Sequence, residues 1–233
     1  MIDFHCHLLH GVDDGPEKIE ESVEMAVALQ KAGFSAVYCT PHMMKGVYEA
    51  DNARVAASLQ ELRQRLTGEN IGLSLFAGRE YYLDEFIFEH LKNPLPLEGT
   101  GFIMLEIPGN IPPDFIKQAC FRINRSGFTP MIAHPERGSG FSNPEKNAKG
   151  GFHFFNADEK QESADVLNYL IELGCAFQGN YGSFLGIYGP QPKKTAQLFK
   201  KRGLYTHFGT DLHSREGIKF LSGDWNKTGG SEG

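Results

Sequence analysis

The chain has 233 residues, 40% of them hydrophobic and 22% charged, with a formal net charge of -6, values that suit one globular domain of barrel size. The acidic balance and the missing basic stripe exclude a general nucleic-acid binder. No apolar run is long enough to insert into a membrane.

The pattern along the chain alternates strand and helix. MIDFH opens as a short strand. Residues 16–33 follow as a helix, with Pro16 in its first turn, acidic residues at its positive end and Gly33 at its stop. Ile19, Val23, Ala26, Val27 and Gln30 mark one face. FSAVYCT is the second strand. Residues 51–67 form a helix capped by Asp51, with Val55, Leu59, Leu62 and Leu66 at helical spacing. IGLSLFAG is the third strand and residues 83–92 a helix. FIMLEIP is the fourth strand, followed by a helix at 112–126, and FTPMIAHP is the fifth. A helix at 160–173, the strand CAFQGN, a helix at 191–202 and the strand LYTHFGTD complete the series.

Seven short apolar strands alternating with helices predict a parallel α/β fold. An open doubly wound sheet and a closed barrel both fit. Polar, chemistry-bearing residues stand at the carboxyl ends of strands one to five and seven. An open sheet gathers such residues only near its switch point, whereas a barrel brings every strand end to one mouth. The expected fold is therefore a distorted barrel of seven β/α units over residues 1–221, with a polar, flexible tail at 222–233. The stretch 138–159, rich in Gly, Asn and Phe, breaks the rhythm. It reads either as a variable insertion or as a lid offering Phe152, Phe154 and Phe155.

Cys6, Cys39, Cys120 and Cys175 are scattered without a C-x-x-C pair. They read as reduced, buried thiols of a cytoplasmic protein. No signal peptide or lipidation motif is visible, and Met1 stands so close to the first histidine motif that no cleaved leader is expected.

Five candidate histidines fall in four short motifs at strand ends, the first of which also contains His10. DFHCHLLHGVDDG holds His5, His7 and Asp14. TPH ends at His42, AHPE contains His134, and GTDLH holds Asp211 and His213. His-x-His on an extended segment points both imidazoles one way, with Cys6 facing the other. Alone, His42 reads as a capped or surface histidine. A Glu at the end of an apolar strand, as Glu106 is, costs too much to bury unless paired or metal-bound. With Glu80, the candidates number five imidazoles and four carboxylates, enough for two or three divalent ions. This nitrogen and oxygen set suits manganese, iron or zinc. His10, His90, His153 and His207 lack such company and read as structural or surface.

The motifs HCH…DDG, TPH, GREYY, LEIP, AHPER and GTDLH resemble those of the PHP superfamily, named for polymerase and histidinol phosphatase. Within it they are similar to the bacterial protein-tyrosine phosphatases of capsule and exopolysaccharide synthesis, the CpsB/YwqE type. The resemblance runs in family order from residue 3 to 213. It implies a seven-unit barrel and a trinuclear centre, commonly manganese. Carried over by position, His5, His7, Glu80 and Asp211 would form one site. Glu80, Glu106 and His134 would form a second, bridged by Glu80, and Asp14, His42 and His213 a third. Arg137 matches the arginine that grips phosphate, and Arg215 is a further candidate for that role. The chain departs from the family after His213, where only 20 residues remain, and at His10, where many members have proline.

Three divalent ions bring about six positive charges against four carboxylates, leaving roughly two for a phosphate dianion. An acidified water would attack phosphorus in line, with His42 and Arg137 as catalytic groups. By resemblance, the substrate is a phosphotyrosine protein, the tail of a bacterial tyrosine autokinase controlling polysaccharide export. By analogy with relatives, the first helix is offered to the contact of a homo-oligomer. The alternatives are a phosphoesterase acting on a small alkyl phosphate such as histidinol phosphate, and a non-catalytic metal-binding interaction protein.

Overall fold

The seven apolar segments all form strands, and two further short strands follow directly after the second and third of them. The computed structural model describes residues 1–138 and 157–222. The strands are β1 (Ile2–Cys6), β2 (Ala36–Cys39), β3 (His42–Met43), β4 (Ser74–Ala77), β5 (Glu80–Tyr82), β6 (Phe102–Glu106), β7 (Thr129–Ala133), β8 (Ala176–Asn180) and β9 (His207–Gly209). The pairings among these strands are all parallel, in the orders β1-β2-β4 and β3-β5-β6-β7-β8-β9.

The second predicted strand, 34–40, covers β2 and the third, 71–78, covers β4; the chain runs on from them into β3 and β5, two short strands that the sequence pattern did not predict. Each time it passes from one sheet to the other at a break. Pro41 has no N–H for the ladder. At Gly78 the backbone passes so close to Leu97 that any side chain would collide with it. The far edges join as well. Asp211 N donates to His5 O at 2.7 Å and His7 N to Leu212 O at 3.0 Å, so the two sheets close into a distorted seven-unit ring. The ring needs Gly209, where a Cβ would stand 2.5 Å from His5 Cβ and 2.7 Å from His5 N.

The helices lie outside the ring: α1 (Ile19–Lys31), α2 (Asn52–Gly68), α3 (Ile87–His90), α4 (Pro113–Arg125), α5 (Ala157–Glu172), α6 (Tyr181–Leu185) and α7 (Pro190–Lys201). One apolar cluster joins α1 and α2 to β1, β2 and β4. A second joins α4, α5 and α7 to β5 through β8. A third, smaller cluster of Tyr38, Leu97, Met104, Met131, Ala133 and Ala176, with Phe4, Phe76 and Phe102 against it, fills the ring itself. The ring is therefore packed and not a pore, and polar groups have room only at the carboxyl end.

Several element details differ from the sequence reading. Pro16 precedes α1. Its carbonyl accepts from Gly11 N at 2.9 Å, and the helix starts at Ile19. The buried face of α1 is Ser22, Val23, Met25, Ala26 and Leu29, while Gln30 is exposed, a phase shift along the same 3.6-residue repeat. Only Ile87–His90 of the helix expected at 83–92 is α-helical. Asp84 Oδ1 accepts from Phe86 N at 2.9 Å and holds the chain in a turn. The short α6 was not anticipated. The Asn180 side chain caps it, and Gly186 at φ 87° ends it. Asp51 does cap α2, accepting from Arg54 N at 2.7 Å. All four cysteines are free and buried. No helix among the described residues is long and apolar enough to cross a membrane. The 138–159 stretch beyond residue 138, the tail and His153 lie outside the described residues or at their margins.

Candidate metal centre

Donor atoms from six strand ends meet at the carboxyl pole of the ring. A register shift in β1 between Asp3 and Cys6 lets Phe4 join the interior cluster while His5 and His7 both turn to the pole. Three groups of donors lie within 4.8 Å of one another: His5, His7, Glu80 and Asp211; His7, Asp14, His42 and His213; and His42, Glu80 and Glu106. His7, His42 and Glu80 each belong to two groups. Eight of the nine sequence candidates are therefore assembled in these groups. The ninth, His134, meets the cage through Glu80, with Nε2 at 3.0 Å from Oε1.

The grouping differs in two places from that implied by resemblance. His7 joins the Asp14, His42 and His213 set, and His42 stands where His134 was expected beside Glu80 and Glu106. Arg137 reaches the cage at Asp211, to which its Nη1 donates, and its guanidinium lies 4.2 Å above the Tyr188 ring. Arg215 is instead paired with Glu24 of α1 at 2.5 Å.

The hydrogen-bond pattern shows what the cage can hold. His5 Nδ1 faces Gln178 Oε1 at 2.9 Å. That amide is oriented by His134 N, which donates to the same oxygen, and by its own Nε2, which donates to Gly179 O. The His5 proton thus belongs on Nδ1, and Nε2 offers a lone pair. His7 Nδ1 is likewise held by Asp13 Oδ2 at 2.7 Å, and His213 Nδ1 by the Asp211 carbonyl at 2.9 Å. The free ring nitrogens point inward: His5 Nε2 and His7 Nε2 are 3.2 Å apart, and Glu80 Oε2 lies 3.0 and 3.1 Å from them. His42 Nδ1 is buried without a hydrogen-bond partner, 3.3 Å from Glu80 Oε2. Ring nitrogens and carboxylate oxygens crowded on one another, around an orphaned nitrogen, are the donor set of a cation site.

The electrostatics agree. Burial alone would strip the proton from His5, but the Glu80 and Asp211 carboxylates outweigh it and lift the imidazole to about 9. Burial would likewise raise Glu80. The charge of His5 and the hydrogen bonds from His134, His5 and His7 hold it well below the usual carboxylate range. Burial, then the charge of Glu80, raises Glu106. The cage draws positive charge to itself, and divalent cations fit its donors.

Supporting groups that sequence reasoning passed over hold the donors in place. Asp13, with its side chain fully buried, accepts from the backbone N of His42 at 2.9 Å as well as holding His7. Asn180 Nδ2 donates to Asp211 Oδ2 at 2.9 Å. Glu136 takes Asn180 N and Tyr205 OH, both at 2.9 Å. Asp13 is the first Asp of DDG, and Gln178 and Asn180 are polar residues at period two on an otherwise apolar strand. That alternation was the available signal. His134 and Asp211 also adopt φ of 29° and 54°, strained for residues other than glycine, a trait that concentrates at functional sites.

A family model, capsular polysaccharide synthesis, CpsB/CapC, matches residues 1–149. The chain is 31% identical over 216 residues to the tyrosine-protein phosphatase YwqE of Bacillus subtilis (strain 168), covering 92% of this chain and 78% of that protein. It is 29% identical over 224 residues to the putative tyrosine-protein phosphatase CapC of Staphylococcus aureus, covering 95% and 80%. Among solved structures, those of YwqE from Bacillus subtilis and CpsB from Streptococcus pneumoniae are described as unique metal-dependent tyrosine phosphatases. One chain of that set matches with a TM-score of 0.80 at 28% identity, covering 100% of this chain and 88% of that one. The zinc-bound histidinol phosphate phosphatase of Lactococcus lactis matches with a TM-score of 0.53 at 14% identity, over 97% and 92%, a likeness of fold.

Proposed function

Since the chain belongs to the CpsB/CapC family of capsular polysaccharide synthesis, we propose that it is a metal-dependent protein-tyrosine phosphatase. The observation that carries this reading is the overlap of the three donor groups through His7, His42 and Glu80, the arrangement a polynuclear phosphoesterase centre requires. Bound there, divalent cations supply the positive charge that receives a phosphate dianion and acidifies a water for in-line attack on phosphorus.

The chain's own residues do the rest. Glu80 spans two donor groups, so one carboxylate fixes the spacing of two positions. Asp13 and Gln178 hold His7 and His5 with their Nδ1 atoms occupied and their Nε2 atoms facing inward. His42 presents Nδ1 between Glu80 and Glu106. Arg137 is 29% exposed at the rim, oriented by Tyr188 beneath and Asp211 beside it. Its planar fork suits two non-bridging phosphate oxygens. Arg137 touches the donor groups at Asp211, whereas Arg215 is paired with Glu24 on helix α1, so the phosphate clamp is assigned to Arg137. The leaving group is a phenol with an ordinary pKa near 10, which departs with little acid assistance.

Three donor groups favour three ions, and the mixed imidazole and carboxylate set favours manganese over softer metals. The physiological substrate we assign is a phosphotyrosine protein, a bacterial tyrosine kinase, met in the cytoplasm. Manganese-loaded protein should hydrolyse a phosphotyrosine peptide and an aryl phosphate, and complete chelation should abolish both activities. Full activity after metal removal, or a hundredfold preference for an alkyl phosphate, would end this assignment.

A further inference from the structure

One wall of the centre is built from an element that the proposed hydrolysis leaves unused. The Tyr48 ring lies parallel to the His42 imidazole, with 12° between planes and 5.7 Å between centroids. Tyr48 sits on a small hairpin, where Met44 and Tyr48 exchange both backbone hydrogen bonds at 2.9 Å. Gly46 makes the turn with φ 77°, and Val47 at the tip is 56% exposed. Arg79, fully buried, ties down both ends of this arm. It donates to the carbonyls of His42, at 3.1 Å, and Ala50, and to Asn52 Oδ1 at 3.1 Å. A buried guanidinium spent on backbone carbonyls is costly, and here it fixes the backbone on both sides of Tyr48. The ring itself is half-buried.

We propose that Tyr48 is a specificity-determining residue whose ring packs against the aryl group of the ester bound at the donor cage. This rests on the phosphatase reading above. An aryl ester is joined to phosphorus through one oxygen, so its ring stands directly outside the donors, beside His42. Aromatic pairs in offset or edge contact gain more than their buried area alone. An alkyl ester offers no such face.

Direct binding tests this without turnover. Benzylphosphonate and ethylphosphonate share the P–CH2 link and differ by a phenyl ring in place of a methyl group. Calorimetric titration of manganese-loaded protein should show tighter binding of benzylphosphonate. Y48L should cut that preference about fivefold, and Y48F should restore it. An undiminished preference in Y48L, or no preference in the unmodified protein, overturns the inference. So does a preference that Y48F fails to restore. The phosphatase reading fails on a different readout: a chain that binds benzylphosphonate through Tyr48 yet leaves phosphotyrosine intact sinks that reading and spares this one.

Discussion

Single side chains decide whether the cage is a site or merely a cluster of polar groups. Asp13 shows this, since one carboxylate orients His7 and pins the backbone of His42. D13N should keep the fold and weaken manganese binding by about 10- to 100-fold, read by calorimetric metal titration. Affinity equal to that of the unmodified chain would mean that the ligands hold themselves. His207 makes the opposite case, a histidine outside the centre. Its ring packs edge-on against Phe4 and Phe102, and burial lowers it from an ordinary 6.5. Below that value the unfolded chain binds a proton that the folded chain refuses, so stability should fall as pH drops through about 6.5. H207F should flatten that part of a denaturation profile taken against pH, and an unchanged slope would assign it elsewhere. The nine candidates were legible because His and Glu at apolar strand ends are costly to bury unless they are paired or hold an ion. Asp13, Gln178 and Asn180 were not, because a residue that holds a ligand differs chemically from the ligand, and its role appears only once the strands are side by side.

At the scale of elements, close approach between strands does what side chains cannot. The meeting of β9 with β1 brings Asp211 and His213 to His5 and His7, and it depends on the bare backbone of Gly209. G209A should drive the two strands apart, destabilise the chain by about 1–3 kcal/mol and lower bound metal, both measured on one preparation by melting and elemental analysis. Full metal content at reduced stability would separate the seam from the site. D51A offers the contrast. Loss of the α2 cap should cost about 1 kcal/mol while metal content holds. Strand and helix order were readable from apolar runs and turn residues. The breaks at Thr40–Pro41 and Gly78–Arg79 were not, because they follow from which sheet each flanking strand joins. The missed α6 is too short to show a period, and the phase of α1 was misread because both candidate stripes carry apolar residues.

For the whole molecule, the seven-unit ring is the reason that residues as distant as His5 and His213 share one centre. The sequence motifs supported a barrel over an open sheet because only closure gathers so many strand ends at one pole. The packing of Met104, Met131 and Tyr38 below the cage confines that gathering to the carboxyl side. Donors from nearly every strand make the bound cations cross-links, so metal loading should raise the melting temperature and chelation should lower it. The most direct measurement is anomalous diffraction at the manganese edge from crystals of the metal-loaded protein. Peaks among His5, His7, Asp14, His42, Glu80, Glu106, His134, Asp211 and His213 are the predicted result, three in number. Manganese bound only elsewhere, or none at that pole, would contradict the account.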